Sequence, residues 1–387
     1  MNDLTIISYP GPKDDLLLSL TEGRSQYMLP FGGRFRIADF TIRNSLSIEA
    51  KSTIFYNNSQ DDLEDYVNRY NLEMAPNLPR IQVITNEFSD LKFCRHLIEG
   101  CDTEYFLIYN GDNPSIIDFP GIMKKYMGKR SDAVLYRLAV DKKPTMSYKI
   151  LATRKKFLLK IIDQALKEKK GAPNIFEMLM NIMINVGIPK GTFSAHLWQI
   201  NNVPEYASMN REVIWNPEVF GLLYREKIIK SQIKTAGSAL IGKNAKVLRS
   251  FISDCCIING TVLDSIIYPG VEIGEDTIVR DSIILPNVKI GPHSRIIRTI
   301  IDERTDLKPE NDYLNIGSNC RVGTEDEFMK NNDYPRSLFE SVTLIGKNCR
   351  ITDGAKIGCA CYIASGLGEN YFPLRKHLYN GESLIKK

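Results

Sequence analysis

Aliphatic residues recur at steps of about five or six from Ser238 onward, and this short period constrains the fold more than any other feature. Gly, Asn, Asp and Ser lie between them, as in VEIGEDTIVRDSIILPNVKIG. A coil this short buries its aliphatic side chains only by stacking on its neighbours. The pattern therefore predicts a left-handed parallel β-helix with hexapeptide-like repeats. The predicted inward residues are Ile241, Val247, Ile252, Ile257, Val262, Ile267, Ile273, Ile278, Ile284, Ile290, Ile296 and Ile301.

The repeat is interrupted and then resumes. The string LIGKN occurs at 240–244 and again at 344–348, whereas residues 324–341 lack the period and are predicted to form an irregular insertion. The cysteines of this half are expected to fill small inward positions. His293, in IGPHSRI, is expected at a solvent-facing corner.

The first half of the chain alternates apolar runs with segments of helical periodicity. This alternation predicts βαβ units and a mostly parallel, doubly wound sheet. The predicted strands are 4–9, 52–56, 81–85, 105–112 and 133–140, and the predicted helices include 61–70, 91–100 and 120–129. The basic stretch 153–170 interleaves Lys and Arg with Leu and Ile, which predicts an amphipathic helix.

These two patterns predict a two-domain α/β protein. A Rossmann-like, nucleotidyltransferase-like domain is expected over 1–225, a linker over 226–237 and the β-helix over 238–387. Because ligands of such sheets bind at the carboxyl ends of the strands, functional loops are expected after Tyr9 and at 111–113.

The composition narrows the class of partner and the compartment. A net charge of +4 and a pI near 8.4, without a clustered basic face, argue against nucleic acid. No apolar run is long enough to span a bilayer, and the N-terminus lacks a signal-peptide pattern. The eight cysteines are expected to be free thiols, since their spacing does not match a zinc site. We therefore expect a cytoplasmic protein without a membrane partner.

Three segments, taken in order, resemble one enzyme family. LTEGRSQYMLPFGGRFRIADFTIRNSL is followed by YNGDN and then by a β-helix that contains RTIID. They resemble the glucose-1-phosphate adenylyltransferase (ADP-glucose pyrophosphorylase) family, and within it the non-catalytic, GlgD-like regulatory subunit. Active members join a sugar 1-phosphate to the α-phosphate of ATP and release pyrophosphate. The resemblance implies a triphosphate loop, carboxylates that hold Mg²⁺ and a sugar-phosphate pocket.

The loop after the first predicted strand lacks what a triphosphate requires. Active members carry a glycine-rich loop there, whereas this chain has one glycine, Gly11, between Pro10 and Pro12. Proline has no N–H and a fixed φ, so the loop cannot present a run of converging donors. Asp14 and Asp15 add negative charge that repels phosphates. These residues predict that the chain alone is weakly active or inactive.

The metal and sugar sites of the family are only partly present. Asp112 in NGDN matches the metal-binding aspartate, either as a residual Mg²⁺ ligand or as a loop or cap residue. The second carboxylate aligns with Pro204, and we expect the neighbouring Glu205 to point to the opposite face of a strand. Residues 140–157 are too short for the sugar pocket, and Lys142 stands where active members have a glutamate. Mg²⁺ is therefore expected only if some activity remains.

The segment PFGGRFRIADF is retained without most of these partners. Two interpretations are open: an anion-binding turn, or a surface that packs against a neighbouring subunit. In the family, the region from Arg24 to this loop adjoins a site for a phosphorylated effector, which makes Arg24, Arg34 and Arg36 the effector-binding candidates. The residues retained in the loop itself are Gly32, Gly33 and Asp39.

Three functions are compatible with these residues. The first is a regulatory subunit that assembles with a catalytic adenylyltransferase subunit, as a hetero-tetramer or another hetero-oligomer, or with itself, in glycogen or related α-glucan synthesis. The second is an active sugar-1-phosphate nucleotidyltransferase remodelled around Asp112, Arg34 and Arg36. The third is a β-helix acyltransferase with His293 as its base, which a corner position disfavours. The first hypothesis accounts best for the missing phosphate loop.

Overall fold

The computed structural model describes residues 3–10, 15–57, 59, 61–73, 80–85, 90–140, 143–145, 147–168, 174–231, 237–308, 312–325, 328–368, 371 and 377–386. The chain divides into two compact units. Unit 1 comprises Met1–Lys13, Gly23–Leu29 and Arg36–Trp198, and unit 2 comprises Asp14–Glu22, Pro30–Phe35 and Gln199–Lys387. The predicted linker at 226–237 falls within the second unit, and its residues 232–236 lie outside the described ranges.

Short apolar runs form the strands of the first 198 residues. They are β1 (Leu4–Tyr9), β2 (Pro30–Phe31), β3 (Phe35–Arg36), β4 (Ser52–Asn57), β5 (Ile81–Thr85), β6 (Tyr105–Asn110), β7 (Ser115–Ile116), β8 (Ala133–Val140), β9 (Lys143–Pro144), β10 (Ile150–Arg154), β11 (Lys190–Ser194) and β12 (His196–Leu197). The main sheet has the order β11-β8-β10-β6-β1-β4-β5, with β9 paired to β8. All of its ladders are parallel except those that β10 makes with β6 and β8 and that of β9.

Helices cover both faces of this sheet because alternate strand residues point to opposite sides. The helices of the chain are α1 (Ile37–Leu46), α2 (Leu63–Glu73), α3 (Leu91–Gly100), α4 (Phe119–Met127), α5 (Lys155–Lys167), α6 (Ile175–Val186), α7 (Val203–Trp215) and α8 (Pro217–Phe220). Ile7 of β1 packs in the core formed with α3, α5 and α6, whereas Ile6 packs in the core formed with α4. The predicted Rossmann-like α/β fold is confirmed, and α5 is the predicted amphipathic helix.

The structure describes eighteen further strands in the second half of the chain. They are β13 (Leu240–Ile241), β14 (Lys246–Leu248), β15 (Phe251–Ile252), β16 (Ile257–Ile258), β17 (Thr261–Leu263), β18 (Ile266–Ile267), β19 (Glu272–Ile273), β20 (Ile278–Arg280), β21 (Ile283–Ile284), β22 (Lys289–Ile290), β23 (Arg295–Ile297), β24 (Thr299–Ile301), β25 (Arg321–Val322), β26 (Thr343–Ile345), β27 (Lys356–Ile357), β28 (Tyr362–Ile363), β29 (His377–Leu378) and β30 (Ser383–Leu384). They build three parallel sheets that begin with β13, β14 and β15, and successive coils contribute successive strands. The predicted parallel β-helix is confirmed.

Two features of the coils match the sequence pattern. Residues 324–341 contain no strand in the part that the structure describes, as expected for an insertion between β25 and β26. His293 adopts a left-handed backbone conformation with φ 57° and is exposed, as predicted for a corner. Among the described residues, no helix is both long and apolar enough to cross a lipid bilayer.

The cysteines mostly fill inward positions. Cys256, Cys320, Cys349, Cys359 and Cys361 are buried, whereas Cys255 is exposed, contrary to the expectation for this half. Burial raises the pKa of the Cys256 thiol to about 11, and its Sγ donates to the Tyr268 carbonyl at 3.1 Å. These thiols therefore act as small core residues that satisfy backbone acceptors.

The structure corrects the predicted inward row at two coils. Ile258 is fully buried and Ile257 is 37% exposed, and in the next coil Val279 is buried while Ile278 lies only partly covered. Adjacent isoleucines or an Ile-Val pair occupy these strands, so a period count alone does not decide which member points inward. Parallel pairing of Ile258 with Ile273 places the inward row in register.

This register predicts a difference between two neighbouring isoleucines. Ile258→Ala should lower the free energy of unfolding by about 2–4 kcal/mol, because it removes buried carbon and leaves a cavity between coils. Ile257→Ala is the matched control and should cost less than about 1 kcal/mol. Urea denaturation followed by circular dichroism measures both, and equal losses would contradict the register.

Candidate functional site

A pocket of about 450 Å³ lies in unit 1 at the carboxyl ends of β1 and β6. Tyr9 and Asn110, the last residues of these strands, line it. Because β10 runs antiparallel to β6, the start of β10 lies beside the carboxyl end of β6. Lys149, which directly precedes β10, therefore lines the pocket. This edge is where a sheet of mostly parallel strands is expected to bind ligands.

Three cations line this pocket, and two of them lie beside one aromatic ring. The Arg137 guanidinium lies 4.5 Å and the Lys190 Nζ 5.9 Å from the centre of the Tyr148 ring. Lys149 Nζ donates to Asn110 Oδ1 at 3.4 Å. Arg137 Nε is buried and has no hydrogen-bond partner within the described part of the chain. A buried, unpartnered donor is costly, so this arrangement suits an anionic ligand.

One carboxylate, Glu177, also lines the pocket. It lies in the first turn of α6, where Asn174 caps the helix by accepting from the N–H groups of Phe176 and Glu177. The Asn174 amide in turn donates to the Pro10 carbonyl at 3.1 Å. Burial raises the pKa of Glu177, Lys149 opposes this shift, and the charge of Asp112 adds to it.

Asp112 is 7% exposed and lies two residues after the end of β6. Asn113 Nδ2 donates to Asp112 Oδ1 at 2.7 Å, so one carboxylate oxygen already accepts a hydrogen bond. The turn before it is held by Gly111, whose N–H donates to the Tyr9 carbonyl and whose carbonyl accepts from Thr41. Asp112 therefore sits at the predicted place, at the carboxyl end of the central strand.

The position of the second family carboxylate is helical, which corrects the expectation of a strand. Pro204 lies in the first turn of α7, whose cap is Asn202. Glu205 does not point away across a strand; its Oε2 accepts from the backbone N–H and the side-chain amide of Asn201 at 2.8 and 2.9 Å. Proline is favoured at a helix start because it needs no N–H partner there. The Glu205 carboxylate therefore stabilises the N-terminus of α7 through its hydrogen bonds with Asn201.

The donor set of a two-carboxylate magnesium site is therefore incomplete. Asp112 remains, and Pro204 supplies no side-chain oxygen. In the described ranges, no group of three or more His, Cys, Asp or Glu side chains is arranged to hold a metal ion. The phosphate-loop residues Gly11, Pro12 and Asp14, the Asp15 side chain and Lys142 lie outside the described residues.

The two glycines of PFGG pack inside unit 2. Gly32 N–H donates to Asn210 Oδ1 at 2.9 Å, and the same oxygen accepts from the Tyr268 hydroxyl at 2.7 Å. The Gly32 carbonyl accepts from the Tyr224 hydroxyl, and the Gly33 carbonyl accepts from Ser253 Oγ at 2.5 Å. Both glycines are buried. The loop thus connects α7 with the first coils of the β-helix, and it needs no neighbouring subunit to account for these contacts.

Other residues of the motif are held in unit 1. Asp39 is 1% exposed and accepts from the Arg36 N–H at 2.9 Å and from the Tyr66 hydroxyl at 2.6 Å, so it fixes the start of α1 and binds α2. The Arg36 side chain donates to the Met28 carbonyl. Arg24 is 3% exposed. Of the three arginines predicted to bind an effector, Arg34 is the one that is largely open to solvent.

Sequence reasoning did not find the pocket residues Arg137, Lys149, Glu177 and Lys190. One signal for Arg137 was present, because it is the charged residue in the otherwise apolar strand AVLYRLAV. A second signal was the Asn174 cap, which places Glu177 in a first helical turn. No local pattern links these residues, since they come from different strands and a helix.

The described residues form a mostly parallel α/β sheet of Rossmann type and a parallel β-helix. Residues 236–332 match a family model described as GlmU-like, C-terminal hexapeptide. The chain is 23% identical over 330 residues to a glucose-1-phosphate adenylyltransferase of Clostridium beijerinckii, covering 72% of this chain and 84% of the relative. It is 24% identical over 319 residues to that of Clostridium botulinum (70% and 81% covered) and 23% identical over 421 residues to that of Pseudothermotoga lettingae (95% of each).

These relatives confirm the resemblance to the glucose-1-phosphate adenylyltransferase family over most of the chain. The narrower likeness to non-catalytic subunits stays a prediction, because an identity near 23% is compatible with a catalytic and with a regulatory role.

The packing of Gly33 predicts a selective loss of stability. A Cβ at Gly33 would lie 2.5 Å from the Phe251 ring at a backbone φ of +84°, whereas one at Gly23, with φ +68°, would meet nothing within 4 Å. Gly23→Ala, the control, should cost about 1 kcal/mol for the left-handed backbone. Gly33→Ala should cost about 1–3 kcal/mol more because of the overlap. Urea denaturation of both variants measures the difference, and equal costs would argue against this packing.

The raised pKa of Glu177 predicts a pH-dependent effect of its replacement. Since the folded protein binds this proton more tightly than the unfolded chain, Glu177 contributes most to stability below its ordinary pKa of 4.5, and the contribution falls as pH rises through the folded pKa. Glu177→Gln removes this titration. The melting temperatures of the two proteins should agree near pH 4 and differ by about 1–2 °C in favour of Gln at pH 7. Scanning fluorimetry from acidic to neutral pH tests this, and a difference independent of pH would refute it.

Proposed function

We propose that this chain is a catalytically impaired, regulatory subunit of ADP-glucose pyrophosphorylase. It assembles in the cytoplasm with a catalytic subunit and alters the response of that subunit to a phosphorylated effector in glycogen or related α-glucan synthesis. The observation that carries the proposal is Pro204, at the start of α7, in the place of the second metal-binding carboxylate. Because Glu205 is engaged by Asn201, the neighbouring carboxylate does not compensate.

The chemistry of the reaction explains why this loss matters. Mg²⁺ neutralises charge that develops on the transferred phosphoryl group, and its position depends on carboxylate ligands. A misplaced ion costs several kcal/mol of transition-state stabilisation, about a hundredfold or more in rate. The sequence of the loop after β1, with one glycine between two prolines, supports the same conclusion.

The retained PFGG loop is compatible with a subunit that has lost catalysis. Its glycines make hydrogen bonds with Asn210, Tyr224 and Ser253 inside unit 2. Stability alone is therefore a sufficient reason to keep the loop. The exposed Arg34 is the effector candidate that these contacts leave accessible.

The first coil of the β-helix supplies a surface for assembly. Its strands β13, β14 and β15 are the outermost strands of the three sheets, and within the described residues no further strand pairs with their outer edges. Leu240 and Leu248 are 63% and 57% exposed there, together with Ile241 and Val247. A cluster of exposed apolar side chains beside open strand edges is typical of a protein–protein interface.

Assembly is tested by mixing the chain with a catalytic glucose-1-phosphate adenylyltransferase subunit and measuring complex formation by size-exclusion chromatography. We expect a complex, and we expect Leu248→Lys to weaken it at least about tenfold by placing a charge in the apolar surface. Leu72→Lys is the control, since Leu72 is 64% exposed on α2 in the other unit. Absence of a complex with the parent chain would count against the regulatory role.

A second candidate is an active sugar-1-phosphate nucleotidyltransferase, remodelled around Asp112, Arg34 and Arg36. The pocket with Arg137, Lys149 and Lys190 favours it, because these cations suit a phosphorylated ligand. Pyrophosphate release from ATP, glucose 1-phosphate and Mg²⁺ separates the two functions. The regulatory proposal expects turnover at least about a hundredfold below a typical 10 s⁻¹, and turnover near that value, abolished by Asp112→Asn, establishes the second candidate.

A further inference from the structure

The outer face of the last coils carries a groove of about 910 Å³ within unit 2. One side of the groove is a column of basic residues, in which parallel pairing aligns Arg295 with Arg321, Arg321 with Lys356 and Lys356 with His377. Their chain neighbours Val322 and Leu378 are buried, so the column faces solvent. We call Arg295, Arg321, Lys356 and His377 the basic column.

Stacking like charges on adjacent strands is unfavourable, and elsewhere the β-helix avoids it. In the sheet that begins with β13, Lys289 pairs with Glu272 at 2.9 Å and with Asp312 at 2.8 Å. In the basic column, Glu325 neutralises only the first member, with 2.5 Å between its Oε1 and the Arg295 guanidinium. Within the described ranges, no carboxylate forms an ion pair with Arg321 or Lys356. An anionic ligand would remove this repulsion.

The groove also contains two glycine positions and, at one end, a pair of stacked aromatic rings. Two residues after Arg321 and Lys356 the chain has Gly323 and Gly358, so these two positions of the groove carry no side chain. The corresponding residue of the last coil is Tyr379, whose ring stacks on His377 with 4.6 Å between centroids and 17° between planes. Tyr379 is 64% exposed, which leaves ring surface for a further aromatic group.

The spacing of these features indicates the ligand. Neighbouring strands lie about 4.8 Å apart, so Lys356 and Arg321 lie roughly 5 and 10 Å along the groove from the aromatic pair. A nucleotide carries an aromatic base at one end and phosphates one ribose away, which is a similar distance. Bases stack on tyrosine whatever their identity, and arginine binds phosphate through paired N–H groups.

We propose that this groove binds a nucleoside 5′-diphosphate or triphosphate, with the base on Tyr379 and the phosphates between Lys356 and Arg321. The volume falls in the range of small-molecule sites. The groove lies on the β-helix and shares no residue with the pocket at the sheet edge. The proposal is therefore independent of the regulatory role and of any catalysis in unit 1.

Isothermal titration of the full chain with ADP, without Mg²⁺, tests the site. ADP should bind, and Tyr379→Ala, Arg321→Gln and Lys356→Gln should each weaken binding by about fivefold or more. Tyr379→Phe keeps the ring and should bind like the parent. Glu325→Gln frees Arg295 and should tighten binding by about two- to fivefold. All of these side chains lie at the surface of the coils, and circular dichroism verifies that each variant is folded.

Two control variants assign the site. Lys246 lies in the same column of the sheet as Arg295 but three coils before it, with Thr261 and Ile278 between them, so Lys246→Gln should leave ADP binding unchanged. Lys149→Gln alters the pocket of unit 1 and should also leave it unchanged. If Lys149→Gln abolishes ADP binding and Arg321→Gln does not, the nucleotide occupies the sheet-edge pocket and the proposal is wrong.

Three further probes test the ligand class. Adenosine and inorganic pyrophosphate each carry half of the recognised chemistry and should bind at least about tenfold more weakly than ADP. Binding of pyrophosphate as tight as that of ADP would overturn the role of Tyr379. A single-stranded oligoadenylate that binds more tightly than ADP would overturn the assignment to a free nucleotide, and so would failure of ADP to bind at millimolar concentration.

Discussion

A single coil of the β-helix cannot exclude water from its inward side chains, and stacking is therefore the constraint on which the second half of the chain depends. Stacking in register forces equivalent positions into columns. Inside, the columns are Ile, Val and Cys, and they form one continuous core from Cys256 to Leu378. Outside, the same geometry aligns whatever residues the sequence supplies, including the unneutralised cations Arg321 and Lys356.

Because each coil is stabilised by its neighbours, the first and last coils of the β-helix differ from the coils in the middle. A coil in the middle is covered on both sides, whereas the first coil has open strand edges and exposed leucines. Natural proteins rarely leave such edges uncovered without a reason. Assembly through this surface would satisfy both the hydrogen-bonding edges and the apolar side chains, which is why a subunit role is consistent with the fold itself.

The retained residues of the glycine motif connect elements of the fold. Asn210 Oδ1 accepts from both Gly32 and Tyr268, so one buried amide connects the loop, α7 and the β-helix. Asp39 likewise connects α1 and α2. Pro204 takes part in none of these contacts. The contacts alone are a sufficient reason for the motif to be retained.

Local patterns in the sequence were sufficient for the strands β1, β5 and β8, the helix α3 and the existence of the β-helix, because each depends on periodicity and propensity within a short window. They also located Asp112 at the end of β6. The register at Ile257 and Ile258 was not decided locally, since two adjacent isoleucines satisfy the same period and only pairing with the next coil chooses between them.

The positions of the candidate site residues could be predicted from the sequence even less well, because they depend on the tertiary structure. Pro204 and Glu205 were expected on a strand, but the Asn202 cap and helix packing placed them at the start of α7. Arg137, Lys149 and Glu177 are distant in sequence and meet only because an antiparallel strand and a helix start reach one sheet edge. By itself, the sequence determined which periodic elements form and which residue types occupy the positions of the family motifs. The tertiary structure decided which side chains face each other, because that depends on strand pairing between segments that are far apart in the chain.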